Sequence, residues 1–388
     1  MKSIVVPAHR GMLALILVSG LALGACARHG KTQQADAQPA KSAAAAAPKV
    51  DFPLNHDAWS ALGYRLDWIG FPFKSGFREP IVSAVALDSC FVIQSKSSET
   101  ACLDGLTGER RWGTGLANPL TKFVGIARDT VDPSRILVSS ESEGYLLAEA
   151  TGSLVAKTRY EKVVNTAPVL SGRQAIFGTS TGEVTGHLIS QNVKAWGFQT
   201  TGSIEATPVL MDNGEIGTVA QSGDVYFLNT GGQVMGRNRI LSSVAMNPAT
   251  DGSSLYIGGL DQSIWAFSSS GALLWRHRTA APLTTQIAVR NGVVYCTVPS
   301  EGLIALEATS GKVLWTARET FGEAIAFRNG RLLVRTDKGV DALDPVTGSR
   351  TQSIALPGIV RLVVEKFDDG VIFAVAANGN VAKFIPKQ

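Results

Sequence analysis

Beyond residue 50 the hydrophobic positions fall into short alternating runs separated by turn residues. VVYCTV at 293–298 and LIALE at 303–307 flank the turn Ser300-Glu301-Gly302. No segment there sustains an apolar period of 3.6 with caps, so the pattern predicts strands, turns and little helix. The pattern also recurs. Trp112, Trp196, Trp275 and Trp315 are spaced by 84, 79 and 40 residues, which are two, two and one units of about 40. Four residues before each stands a turn residue, in the series Gly108, Gly152, Asn192, Gly232, Gly271, Gly311 and Gly348. Gly and Asn tolerate positive φ, so these positions read as hairpin turns. A second series, Gly144, Gly182, Gly223, Gly302, Gly339 and Gly379, runs out of phase with the first, and Asp261-Gln262 fills its gap.

A strand-turn-strand-turn-strand unit repeated every ~40 residues is the mark of a propeller blade. The competing folds, a β-sandwich or a β-helix, do not repeat tryptophans at one phase over this length. Seven turns of the first series mark seven full blades, the first beginning near Phe77. After Gly348 three further strands follow and the chain stops. The missing fourth lies at the other end, in Tyr64-Arg65-Leu66-Asp67-Trp68-Ile69-Gly70, where Trp68 takes the tryptophan's place. The expectation is therefore an all-β, eight-bladed β-propeller over residues 51–388, its last blade closed by an N-terminal strand; seven blades is the alternative. The repeat tryptophans Trp68, Trp112, Trp196, Trp275 and Trp315 are expected to dock neighbouring blades. Trp59, ahead of the blades, is expected to plug a groove.

The N-terminus is an address. Lys2 and Arg10 precede an uncharged, mostly apolar run of 15 residues from Gly11 to Ala25, too short for the ~20 residues of a membrane span. The run ends in Leu23-Gly24-Ala25-Cys26, which resembles a bacterial lipobox, with Cys26 as the lipidated mature N-terminus. A plain secretory signal or an uncleaved anchor is the alternative. Ala27 stands where the inner-membrane retention signal has Asp, so the resemblance implies the periplasmic side of the outer membrane. Residues 1–25 then form a signal peptide and 26–50 a lipidated Cys with a flexible tether, too poor in aromatic and β-branched residues to bury a core.

Composition narrows the function classes. The chain has 388 residues, 40 of them Gly, with 45% hydrophobic and 18% charged residues, which excludes a disordered chain. Net charge is +4, and +2 without Lys2 and Arg10, too mild for nucleic-acid binding; Arg110-Arg111 and Arg276-His277-Arg278 read as solvated strand faces. Four cysteines exclude a disulfide scaffold. Matching Leu103 to Leu306 sets residue 93 opposite Cys102, with Cys90 on the other face about 10 Å further along. That favours two buried thiols over a Cys90–Cys102 bridge, which a bulge would restore. Cys296 reads as core.

The units resemble a known repeat. Ala101-Cys102-Leu103-Asp104-Gly105-Leu106-Thr107-Gly108-Glu109-Arg110-Arg111-Trp112 and Ala305-Leu306-Glu307-Ala308-Thr309-Ser310-Gly311-Lys312-Val313-Leu314-Trp315 look like the A-L-D-x-x-T-G-x-x-L-W pattern of pyrroloquinoline-quinone (PQQ)-like propellers. TGSIEATPVL at 201–210 and NTAPVL at 165–170 are similar to its inner-strand half. Ala156, Gly236 and Gln352 depart from it where tryptophan is due. The repeat serves enzymes and scaffolds alike. Quinoprotein dehydrogenases add an adjacent Cys-Cys pair and a Ca²⁺ site; this chain has no adjacent cysteines, so no catalytic set is expected and no cofactor, PQQ included. His9, His29, His56, His187 and His277 form no His-x-His or His-x₃-His pair, so no metal is expected. Glu205, with Asn165 and Asn247 in related slots, is the best candidate for two-carboxylate chemistry by acids converging from different blades; its plain role is a solvated channel-mouth residue. Lipobox, length and repeat together resemble the BamB-type lipoproteins of the outer-membrane β-barrel assembly machinery. That resemblance implies a non-catalytic scaffold, lipid-anchored in the membrane, with an envelope protein partner such as a β-barrel assembly component. A quinoprotein relative and a glycan- or solute-binding propeller are the alternatives.

Overall fold

The computed structural model describes residues 52–388. Eight four-stranded antiparallel sheets form the eight blades of a propeller. Blade 1 comprises Ile81–Leu87, Cys90–Ser95, Glu99–Asp104 and Arg110–Gly115; blades 2 to 7 follow at 123–159, 169–199, 209–239, 249–278, 288–317 and 323–355. The burial of each strand follows its rank in the blade. Second strands such as Cys90–Ser95 and Ile372–Ala376 are buried throughout, and third strands such as Glu99–Asp104 are buried but for their ends, because neighbouring blades cover both faces. Fourth strands such as Val193–Gln199 alternate exposed and half-buried, since they form the outer rim. First strands of successive blades touch one another and so surround the axis.

Blade 8 is built from both ends of the chain. Its first three strands are Ile359–Val364, Ile372–Ala376 and Val381–Pro386, and its fourth is Tyr64–Gly70. Tyr64 pairs with Pro386 and Gly70 with Val381, with a bulge between Leu66 and Trp68. Asp67, at the bulge, holds Lys383 at 3.0 Å. The Lys387 N–H donates to the Gly63 carbonyl at 2.9 Å, and Arg328 Nε donates to the same oxygen at 2.9 Å. The ring thus has no open first or last blade, which removes the pairing edge a broken ring would present.

A short helix, His56–Ala61, precedes the closing strand at a place where the sequence shows no helical period. Asn55 caps it, accepting from the Ala58 N–H at 3.0 Å. One turn and a half is too short to show a period or to persist alone, so packing holds it. Trp59 stacks on Phe384 with centroids 3.6 Å apart, inside a cluster with Leu62, Tyr64, Ala342 and Leu356. It therefore seals the core between blades 7 and 8.

The cysteine register differs from the expected one. Val92, not residue 93, opposes Cys102, and Cys90 opposes Asp104. The turn between Ser95 and Glu99 holds three residues, one more than the two expected, as does the equivalent turn of blade 6, where Val298 opposes Gly302. Cys90 and Cys102 therefore share a face and a core cluster rather than pointing apart. Both are free thiols, as is Cys296. A hydrogen bond donated by the Cys102 thiol to Cys90, then burial, pushes the Cys102 thiol far above its ordinary range, and burial pushes Cys296 up to about 12.

Two measurements test this architecture. Removing residues 1–70 leaves blade 8 with three strands and an open edge on Val381–Pro386. The expected result is a lower unfolding midpoint and concentration-dependent association by light scattering, whereas removing only 1–50 changes neither. His187 supplies the second. It is 3% exposed, packs 5.1 Å from Tyr160, and its Nδ1 has no partner. Burial holds its pKa below the ordinary value. As pH falls below ~6.5 the unfolded chain takes up this proton first, so stability falls with pH by at most about 1.4 kcal/mol per unit. His187→Gln is expected to flatten that slope in urea titrations between pH 7.5 and 5.5.

Candidate functional site

The residues singled out by the repeat meet at the seams between blades. Gly108, Gly152, Gly232, Gly271, Gly311 and Gly348 have φ of 75°, 69°, 79°, 82°, 70° and 71°. Five of them lie under a tryptophan of the preceding blade. A Cβ on Gly108 would stand 2.6 Å from the Trp68 ring. The same holds for Gly152 against Trp112 at 2.5 Å, Gly232 against Trp196 at 2.5 Å, Gly311 against Trp275 at 2.5 Å and Gly348 against Trp315 at 2.4 Å. Four indoles also donate to the backbone carbonyl three residues before that glycine. Trp68 reaches Gly105 at 3.2 Å, Trp112 reaches Glu149 at 2.6 Å, Trp275 reaches Ala308 at 2.8 Å and Trp315 reaches Pro345 at 2.8 Å. Trp196 instead donates to Gln174 Oε1 within its own blade, at 2.7 Å. Each indole so buries its ring and satisfies its one donor in the same contact.

Where tryptophan is absent the seam is rebuilt. Ala156 leaves the blade 2–3 seam to Thr158, which donates to the Ile189 carbonyl at 3.1 Å, and to Asn192, which accepts from the Arg159 N–H at 3.2 Å. Gly236 lets the backbone of Gly271 come close: a Cβ on Gly271 would lie 3.1 Å from the Gly236 Cα. Gln352 accepts from Arg331 Nη1 at 3.0 Å, and Arg331 Nη2 reaches the Ala61 carbonyl at the end of the helix, at 3.1 Å.

A second repeating feature escaped the sequence reading. Acids at or near the start of third strands pair with bases on the fourth: Glu99 with Arg110 at 3.1 Å, Glu143 with Lys157 at 2.9 Å, Asp224 with Arg237 at 3.0 Å and Asp341 with Arg350 at 3.5 Å. Glu183 holds both Lys162 and Lys194. Burial works to raise Glu183 and Asp224, but Lys162 and Lys194 in one case, and Thr201, Arg237 and Ser222 in the other, outweigh it and hold both carboxyls below their ordinary range. The acid and base lie about a dozen residues apart on either side of a turn glycine, and that spacing is the signal that was available.

Glu205 accepts from Asn165 Nδ2 at 2.9 Å, and Asn247 accepts from the Thr207 N–H at 2.7 Å, so these polar side chains bind one another and the connecting loops. No group of three or more His, Cys, Asp or Glu is placed to hold a metal ion among the described residues. Cys26 and the preceding Leu23, Gly24 and Ala25 lie outside the described residues. What the surface does offer is exposed apolar side chains on loops. The blade-to-blade connections carry Leu120, Val163, Leu241 and Phe321 on one face of the disc; the turns of the opposite face carry Leu106, Val131 and Val346.

The seam contact has a direct test. Gly152→Ala forces a Cβ into the Trp112 ring, whereas Gly172→Ala, at φ 56° with nothing within 4 Å, strains only the backbone. The expected loss is about 1 kcal/mol for Gly172→Ala and at least ~2 kcal/mol more for Gly152→Ala, the order of an overpacked core. Denaturant midpoints measure both. Equal losses would mean that the indole does not depend on the glycine.

Comparison with known proteins bears on the fold and the family. No curated protein sequence matches the chain. Among solved structures it is similar to BamB from Moraxella catarrhalis, at 17% identity and a TM-score of 0.65, covering 83% of this chain and 97% of that one. It is also similar to the computationally designed Ika8 protein (15%, 0.64, covering 80% and 98%) and to Saccharomyces cerevisiae Sqt1 (10%, 0.66, covering 83% and 100%). At such identities these likenesses speak for the propeller fold alone. The family described as outer membrane protein assembly factor BamB matches residues 96–245 and 260–384, which is most of the chain and nearly the whole ring. By that match the chain belongs to the BamB family of PQQ-like repeat propellers.

Proposed function

We propose that this chain is a non-catalytic scaffold of the cell envelope, anchored by lipid on Cys26 to the periplasmic side of the outer membrane and supporting the assembly of outer-membrane proteins. The family match over the ring is the observation that carries this reading. The lipobox Leu23-Gly24-Ala25-Cys26 supplies the anchor and residues 26–50 the tether. The partner in this reading is a β-barrel assembly component that docks on the face of the blade connections. Leu120, 93% exposed, and Leu241, 69% exposed, project there from two separate loops. Exposed apolar side chains on rigidly held loops are what a docking partner buries. No cofactor takes part, PQQ included.

In-cell photo-crosslinking tests both the role and the face. A photoreactive residue in place of Leu120 or Leu241 is expected to trap an outer-membrane assembly protein. The same residue in place of Leu106 or Val346, on the opposite face, is expected to trap far less. Recovery of no barrel or assembly protein from either face would overturn the proposal. Cys26→Ser is expected to release the protein to the soluble periplasmic fraction.

A further inference from the structure

The axial channel is not uniform. Beside blades 6 to 8 it opens into a cavity of 730 Å³ on the face of the blade connections, with Thr285, Thr297 and Phe321 among its lining residues. A second cavity of 360 Å³ shares Glu323, Arg335 and Leu362 with the first and continues between Ala288, Val289, Ile325, Val364 and Phe367. The two form a funnel with a polar mouth and an apolar throat. The 365–370 loop, which joins the first two strands of blade 8 and so lies on the opposite face, brings Phe367 to the funnel's far end. Three contacts fix that loop: the Phe327 N–H donates to the Phe367 carbonyl at 2.6 Å, Arg290 holds Asp368 at 2.5 Å, and Arg328 holds Asp369 at 2.7 Å. Concave sites of this size that combine apolar walls with a few polar groups are what small ligands occupy.

The charge at the neck selects the ligand. Glu323 and Arg335 stand opposite each other on the first and second strands of blade 7. They close no ion pair, and the Glu323 carboxyl has no hydrogen-bond partner among the described residues. Arg335 Nη2 donates to the Val360 carbonyl at 2.5 Å, which leaves most of its guanidinium N–H groups unused. Arg361 adds a second positive charge nearby; burial, and then the charge of Arg335, press its pKa below the ordinary value. Burial pushes the Glu323 carboxyl the other way, above its ordinary value, against the opposing pull of the Arg335 charge. At the neck Arg335 and Arg361 thus set two positive charges against the Glu323 carboxyl, with Asp337 among the residues of the mouth, above a throat of aliphatic and aromatic side chains.

We propose that this funnel binds a small carboxylate with an apolar body, the carboxylate accepting hydrogen bonds from Arg335 at the neck and the body filling the throat between Ala288, Ile325, Leu362 and Phe367. A guanidinium-to-carboxylate contact gives direction and the throat gives affinity.

The test uses 4-phenylbutyrate and its charge-reversed counterpart 4-phenylbutylamine as probes on the intact protein, followed by calorimetry and NMR line shifts. The butyrate is expected to bind saturably, and the amine at least ~10-fold more weakly, the factor one charge-assisted hydrogen bond carries. Arg335→Gln is expected to weaken the butyrate by a similar factor, and Ala288→Trp, which fills the throat, to abolish binding of both. Thermal midpoints of each variant show whether the ring is intact. If Arg335→Gln does not fold, Ala288→Trp and the butyrate-to-amine ratio decide the matter alone. Absence of saturable butyrate binding up to ~10 mM, equal binding of the two probes, or indifference to a folded throat-filled variant would each overturn the proposal.

Discussion

An indole laid flat on a glycine is the contact on which the rest of this ring depends. A propeller blade has no independent core of consequence; its two faces are apolar and must be covered by its neighbours. The tryptophan on the outer strand of one blade and the turn of the next fix how far apart, and at what tilt, those neighbours stand. Without a Cβ the turn can come within van der Waals reach of the ring, and the positive φ that the turn needs is free for the same residue. Conformation and packing are satisfied by one substitution-intolerant position. The hydrogen bond from the indole to the carbonyl three residues upstream then locks the rotation of the ring.

The seams that lack this contact are informative. Three different replacements occur, a threonine–asparagine pair, a glycine-to-glycine approach and an arginine bridging to the N-terminal helix. Each preserves the spacing between blades by another chemistry. The spacing is therefore what the fold requires, and tryptophan is its commonest means. The arginine bridge lies between blades 7 and 8, where the chain ends interrupt the repeat. There Trp59, delivered by the capped helix, stacks on Phe384 and supplies the large apolar surface the repeat no longer can.

Much of the architecture was legible because turns punctuate it. Gly108 and its equivalents are constrained by φ and by a facing ring at once, so they survive as an arithmetic series in the sequence. Seven of the eight blades followed from that series, and the eighth from the strands left over at the two ends of the repeat. The cysteine register did not, because one extra residue in a hairpin turn moves a side chain to the other face, and nothing in Lys96-Ser97-Ser98 announces a turn of three residues rather than two. The helix was missed because a single turn has no period. The funnel is the least legible feature. Thr285, Glu323, Arg335 and Leu362 come from three blades and meet only because the ring closes, so no local pattern joins them.

The closing strand gives the ring an unusual order of events. Tyr64 pairs with Pro386, 322 positions later in the chain (386 minus 64). The strand that completes the structure is among the first parts of the propeller to be synthesised, and its partner is the last. At typical elongation rates the interval is roughly 15–65 s. Throughout it the strand has nothing to pair with, and the blades made so far expose one uncovered face. The fold is thus a clasp whose two halves travel apart until the final residues arrive, and any factor that shields either half during that wait acts on the yield of the protein rather than on its finished stability.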